Sequence, residues 1–153
     1  SNYSVGIRVP AFWCEVENDE IENILKNRIV CQGEKVAIIA VGPMLEMALA
    51  VRKNLREKLN KDITVINALN VSNLDYDTLD SLKKDHQVIM TLEDGELQGG
   101  YGVNVASYFA NSDIKVLNYG ITKKFHTDFK ASELLEECGM SVVKLVKVIE
   151  NYL

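Results

Sequence analysis

Val36-Ala-Ile-Ile-Ala-Val41, closed by Gly42-Pro43, is the stretch that decides the fold. It is a short apolar run with no alternation of polar and apolar residues. That is the pattern of a strand covered on both faces, as in a parallel sheet. Pro43 suits a first helical residue, because its fixed φ is helical and its missing N–H is not needed there. Beyond it, Met44, Ala48, Val51, Leu55 and Leu59 recur at helical spacing, with Glu46, Lys53 and Glu57 on the other side. This predicts an amphipathic helix running to about Asn60.

The same strand–helix alternation extends outward. Ile63-Thr-Val-Ile66 is a second strand, and a short helix over residues 76–84 follows Asp75. Gln87-Val-Ile-Met-Thr-Leu92 is a third strand, expected to end at Glu93-Asp94-Gly95. Gly99-Gly-Tyr-Gly102 then precedes a helical run over residues 103–110. Ile114-Lys-Val-Leu-Asn118 is a fourth strand, expected to stop by Gly120. Helices near residues 131–138 and 141–152 close the chain, with Gly139 between them as a C-cap. Val142, Leu145, Val146 and Ile149 form the apolar stripe of the last one. A further strand over residues 28–31 is expected at an edge. Strands alternating with helices imply a three-layer α/β/α domain around a mostly parallel five-stranded sheet.

Ser1-Asn2, without an initiator Met, reads as the remnant of a removed expression tag. Residues 3–14, with Ile7-Arg8-Val9-Pro10, read as an opening strand or linker. Residues 15–153 form the domain, a size that buries a sizeable core. A net charge of -5 argues against nucleic acid or an anionic membrane as partner. No run is long and apolar enough to span a bilayer, and no signal-peptide pattern is present. The expected compartment is the cytoplasm. Cys14, Cys31 and Cys138 are odd in number and widely spaced, which suits reduced thiols rather than a disulfide or zinc framework.

Ligands of such sheets sit beyond the carboxyl ends of the strands. Those ends carry Gly42, Asn67, Glu93, Asp94 and Asn118. Glu93 and Asp94 are adjacent, so their side chains diverge, and a cap or ion-pair role is favoured. The glycines of residues 95–102 invite a phosphate-binding reading. They match neither a P-loop nor a dinucleotide fingerprint, and Glu93, Asp94 and Glu96 repel anions. A tight turn permitting close helix packing is favoured instead. His86, at a helix–strand junction, is expected to be solvated, and His126 lies in a polar loop. Neither has metal-ligand spacing. No catalytic or metal-binding residue emerges. Leu97 and Tyr101, beside Gly99 and Gly100, are large groups at a strand's carboxyl end. They are candidates for an exposed interface, with folding back onto the domain's own core as the alternative.

Four stretches, in order along nearly the whole chain, carry a family resemblance. They are Val41-Gly-Pro-Met-Leu-Glu-Met-Ala-Leu49, then Val65-Ile-Asn-Ala-Leu-Asn-Val-Ser-Asn-Leu-Asp75, then Thr91-Leu-Glu-Asp94 with Gly99-Gly-Tyr-Gly102, and last Asn118-Tyr-Gly-Ile-Thr-Lys-Lys-Phe125 with Ser132-Glu-Leu-Leu-Glu-Glu-Cys-Gly-Met140. Together they resemble the C-terminal domain of the 1-deoxy-D-xylulose-5-phosphate synthase family, transketolase-like thiamine-diphosphate enzymes. The resemblance implies a three-domain homodimeric parent that condenses pyruvate with glyceraldehyde 3-phosphate, releasing carbon dioxide, at the head of isoprenoid synthesis. It implies that thiamine diphosphate and magnesium are held by the other domains. The domain here then binds no cofactor, packs against the rest of the chain and the dimer partner, and is inactive alone.

The departures lie at polar positions. The family's Arg-Tyr-Pro-Arg appears as Arg8-Val9-Pro10-Ala11, so Ala11 stands where the resemblance places a substrate-phosphate arginine. Arg8 is then the nearest replacement, with Lys123 and Lys124 as weaker candidates. The family's Lys-Pro pair is Ser72-Asn73, its Pro-Asp pair Thr122-Lys123, and its His-Gly pair Asp128-Phe129. Two other readings stay open: the C-terminal domain of a transketolase or 2-oxo-acid dehydrogenase beta subunit, and a free-standing α/β binding module.

Overall fold

Strand β2 (Lys35–Val41) is the middle of the sheet, and all its residues after Lys35 are buried. A computed structural model describes residues 4, 6, 23–127 and 130–153. Arg8, Ala11 and Cys14, the strand expected over residues 7–10, and Asp128 and Phe129 lie outside the described residues. Among the described residues the other strands are β1 (Arg28–Cys31), β3 (Thr64–Ala68), β4 (His86–Glu96) and β5 (Lys115–Ile121), in the order β1-β3-β2-β4-β5. β2 pairs in parallel with β3 and β4, and β4 with β5. The edge strand β1 runs antiparallel to β3.

Helix α1 (Met44–Leu59) follows β2, with Pro43 at its N-cap. The apolar spacing read from the sequence selects the face that packs: Met44, Ala48, Val51 and Leu55 are buried, while Leu59 is exposed. Asn60 ends the helix in the left-handed region at φ 51, which asparagine tolerates better than most residues. α2 (Tyr76–Leu82) joins β3 to β4, and α3 (Tyr101–Phe109) joins β4 to β5. α4 (Ala131–Glu137) and α5 (Val142–Glu150) follow β5.

Alternating β2 residues serve two cores. Val36, Ile38 and Ala40 pack with α1, Met140 and α5; Ala37, Ile39 and Val41 pack with α2 and α3. Three layers result, as expected, because a strand points successive side chains to opposite faces. No helix among the described residues is long and apolar enough to cross a membrane.

Two boundaries differ from expectation. β4 continues through Glu93, Asp94 and Gly95 to Glu96, and β5 runs through Gly120. The cause is pairing: Glu96 lies opposite Ile121, and the Leu97 N–H donates to the Ile121 carbonyl at 2.8 Å. Position 120 holds glycine because a Cβ would stand 3.1 Å from the Leu97 Cα. His86 is also corrected. It is 6% exposed rather than solvated, enclosed by Thr64 and the end of α2.

Candidate functional site

The chain leaves β2 toward one face through α1 and leaves the adjacent β4 toward the other through α3. This divergence makes the carboxyl ends of β2 and β4 the topological switch point, where open α/β sheets offer a crevice. Gly42, at φ 55, turns the chain from β2 into α1. The other wall is residues 93–102, which include the glycine-rich stretch 95–102.

Glu93 closes that wall. Its side chain points inward, and the residue is 6% exposed. One carboxylate oxygen accepts the Tyr101 N–H at 3.0 Å and the other the Gly102 N–H at 3.0 Å. The chain thus supplies its own anion to the first turn of α3, where unpaired amides and the helix dipole favour negative charge. A Cβ at position 100 would lie 2.5 Å from the Glu93 oxygens. One at position 102 would lie 2.3 Å from Thr91 Oγ1, which donates to Asn118 Oδ1 at 2.9 Å. Gly99, at φ 81, makes the turn. The glycines therefore admit a carboxylate and a close helix, and the α3 amides that would hold a diphosphate are occupied by Glu93. These residues do not fit thiamine diphosphate, and no cluster of three metal-ligating side chains occurs among the described residues.

Of the residues singled out from the sequence, Leu97, Gly99, Gly100 and Tyr101 lie together at this turn, and Arg8 lies outside the described residues. Tyr101 folds back onto the domain's own core, the alternative left open above. It is 4% exposed and packs with Ile39, Ile66 and Val105. Burial raises its phenol above the ordinary value, with Asn27 beside it pulling the other way. Leu97 is half-buried, and Gln98 and Gly99 are exposed. The neighbouring loop after β5 is tied in by Lys123–Glu96 at 3.3 Å and by Lys124–Glu137. It carries a fully exposed Phe125. His126 Nε2 bonds the Thr122 carbonyl at 2.9 Å.

A polar knot that sequence reading did not single out sits beyond β3. Asp75, the N-cap of α2, accepts from Thr78 Oγ1 at 2.6 Å, the Asn27 N–H at 2.8 Å, Lys26 Nζ at 3.2 Å and the Thr78 N–H at 3.4 Å. Burial alone would raise its pKa. The hydrogen bonds from Thr78, Asn27 and Lys26 outweigh it and hold the carboxyl below the usual value. An Asp directly before a helix is the signal that marks this cap. Its long-range partners at residues 26 and 27 leave no mark in sequence.

The family profile described as the transketolase C-terminal domain matches residues 25–145, an interval containing the sheet, the switch point and the Glu93 turn. The chain belongs to the transketolase C-terminal domain family. Curated relatives of this transketolase-type domain are named 1-deoxy-D-xylulose-5-phosphate synthase. That of Clostridium tetani is 32% identical over 149 residues, covering 95% of this chain and 24% of the relative. That of Vibrio parahaemolyticus is 36% identical over 130 residues, covering 84% and 20%. The chain thus spans about a quarter or less of these relatives' length. A solved structure described as "Split gene transketolase, inactive beta4 tetramer" has a TM-score of 0.78 at 22% identity, covering 94% of this chain and 46% of that one. It confirms the fold of the transketolase C-terminal domain.

Proposed function

We propose that the chain is the C-terminal structural domain of a cytoplasmic, thiamine-diphosphate-dependent 1-deoxy-D-xylulose-5-phosphate synthase. In that parent it supports the domain packing and the homodimer while other domains hold cofactor and magnesium. The observation that carries this reading is the similarity to synthases over 95% of the chain. The geometry favours a supporting role, since Glu93 takes the amides that an anionic cofactor would need. The cofactor would supply the carbanion chemistry of the parent. Residues of this chain would shape its surroundings.

Titration calorimetry of the 153-residue chain with magnesium and thiamine diphosphate tests the supporting role. No heat of binding is expected, and micromolar binding would refute it. The parent, expressed from its natural reading frame, is expected to condense pyruvate with glyceraldehyde 3-phosphate. Ala11 stands where the resemblance places a phosphate-binding arginine, so Arg8 is the proposed substitute. Ala11→Arg in the parent should then lower the Michaelis constant for glyceraldehyde 3-phosphate. An unchanged constant with activity on a non-phosphorylated aldehyde would point to a different acceptor.

A further inference from the structure

The amino edge of the sheet, opposite the switch point, brings together three connections. His86 opens β4 and Thr64 opens β3, while Gly33 lies between β1 and β2. Gly33 is pressed against β3 so closely that a Cβ there would stand 2.4 Å from the Ile63 carbonyl carbon. His86 is 6% exposed and Thr64 wholly buried.

Thr64 Oγ1 accepts the Gly33 N–H at 3.0 Å. Its own hydroxyl proton has two acceptors in reach, His86 Nε2 at 2.8 Å and the Gly33 carbonyl at 3.0 Å. One proton cannot serve both. His86 Nδ1 faces the Leu82 carbonyl at 3.2 Å. A carbonyl only accepts, so Nδ1 carries a proton whether the ring is neutral or charged. The neutral ring therefore presents a lone pair at Nε2 and takes the Thr64 proton. The charged ring presents an N–H at Nε2. Thr64 Oγ1 then accepts that N–H together with the Gly33 N–H, and its hydroxyl proton turns to the Gly33 carbonyl. One proton enters at Nε2, one hydroxyl rotates, and every donor keeps an acceptor.

We propose that His86, Thr64 and Gly33 form a proton-dependent relay, in which protonation of His86 transfers the Thr64 hydroxyl bond from the imidazole to the Gly33 carbonyl and fastens the β1–β2 connection more firmly to β3. Asp85, preceding the ring, and Glu34, in the β1–β2 connection, favour the charged form. Lys35, in register with His86 on β2, directs its ammonium to the Leu153 carbonyl at 2.8 Å. On the α2 side Lys83 is paired with Asp80, and on the β3 side Asp62 is paired with Arg52. Burial lowers the ring's proton affinity below the ordinary histidine value, so the relay operates on the acid side of neutrality.

Nitrogen and carbon NMR of the intact chain, titrated across the ordinary histidine range of about pH 6.5, tests the relay. A neutral ring protonated at Nδ1 is expected, with the Gly33 carbonyl shift moving in step with the ring as pH falls. Thr64→Val removes the acceptor for the Nε2 proton. It should lower the ring's midpoint by about one unit, roughly a tenfold loss in proton affinity. Thr64→Ser should restore both the midpoint and the Gly33 response. A neutral ring protonated at Nε2, or a midpoint unmoved in folded Thr64→Val, overturns the proposal. Should Thr64→Val fail to fold, the unmodified chain decides. A Gly33 carbonyl shift that follows His86 sustains the relay, and one that stays flat overturns it.

Discussion

Replacing Glu93 by Ala tests whether the switch-point wall is built around an internal anion. The substitution removes both acceptors of the Tyr101 and Gly102 N–H groups in a place that is nearly dry. Net contributions of hydrogen bonds to charged groups run about 1.5–3 kcal/mol each. The pair therefore stands for about 3–6 kcal/mol if nothing replaces it. Water entering the vacated space at the sheet's edge would recover part, so a loss of about 3 kcal/mol is expected. For a chain of this size, each kcal/mol lowers the melting temperature by about 2–4 °C, giving a fall of about 6–12 °C. Thermal melts followed by circular dichroism measure the fall. Hydrogen exchange locates it, because protection should drop first at the amides of residues 101 and 102. Glu93→Asp, one methylene shorter, should recover little. A Glu93→Ala melt within about 2 °C of the parent chain, with those amides still protected, would refute the capping argument.

Three further outcomes follow from the same geometry. Gly102→Ala should destabilise by about 1–3 kcal/mol through the clash with Thr91 Oγ1, and Thr91→Ala in the same chain should return part of it, as denaturant unfolding would show. Burial holds His86 below the ordinary histidine proton affinity when folded, whereas it protonates near pH 6.5 when unfolded. The unfolded state then binds more protons below that value, so stability should fall as pH drops from about 6.5 toward the lowered folded value. Urea midpoints along a pH series check this, and a His86→Gln chain should show a shallower fall. Leu97→Asp, at the half-buried turn, should weaken dimerisation of the parent while leaving the melting temperature of this domain nearly unchanged. Loss of stability in the domain with an intact parent dimer would place Leu97 in the core.

What the sequence alone determined is what its local periodicities encode. The unbroken run over residues 36–41 suits a strand hidden on both faces, and the spacing of Met44, Ala48, Val51 and Leu55 suits a helix with one buried side. Element order followed from these patterns, and element order with short right-handed crossovers leaves few sheets to choose from. The tertiary structure decided what depends on partners distant in the chain. β4 and β5 outrun their apolar segments because Glu96 and Leu97 pair with Ile121, which nothing near Gly95 or Gly120 announces. Tyr101 turns inward because α3 is seated on Thr91 and Glu93, and His86 is enclosed because Thr64 and Leu82 offer it partners. A polar side chain is buried only where such partners satisfy it, and which residues those are is settled when the layers close.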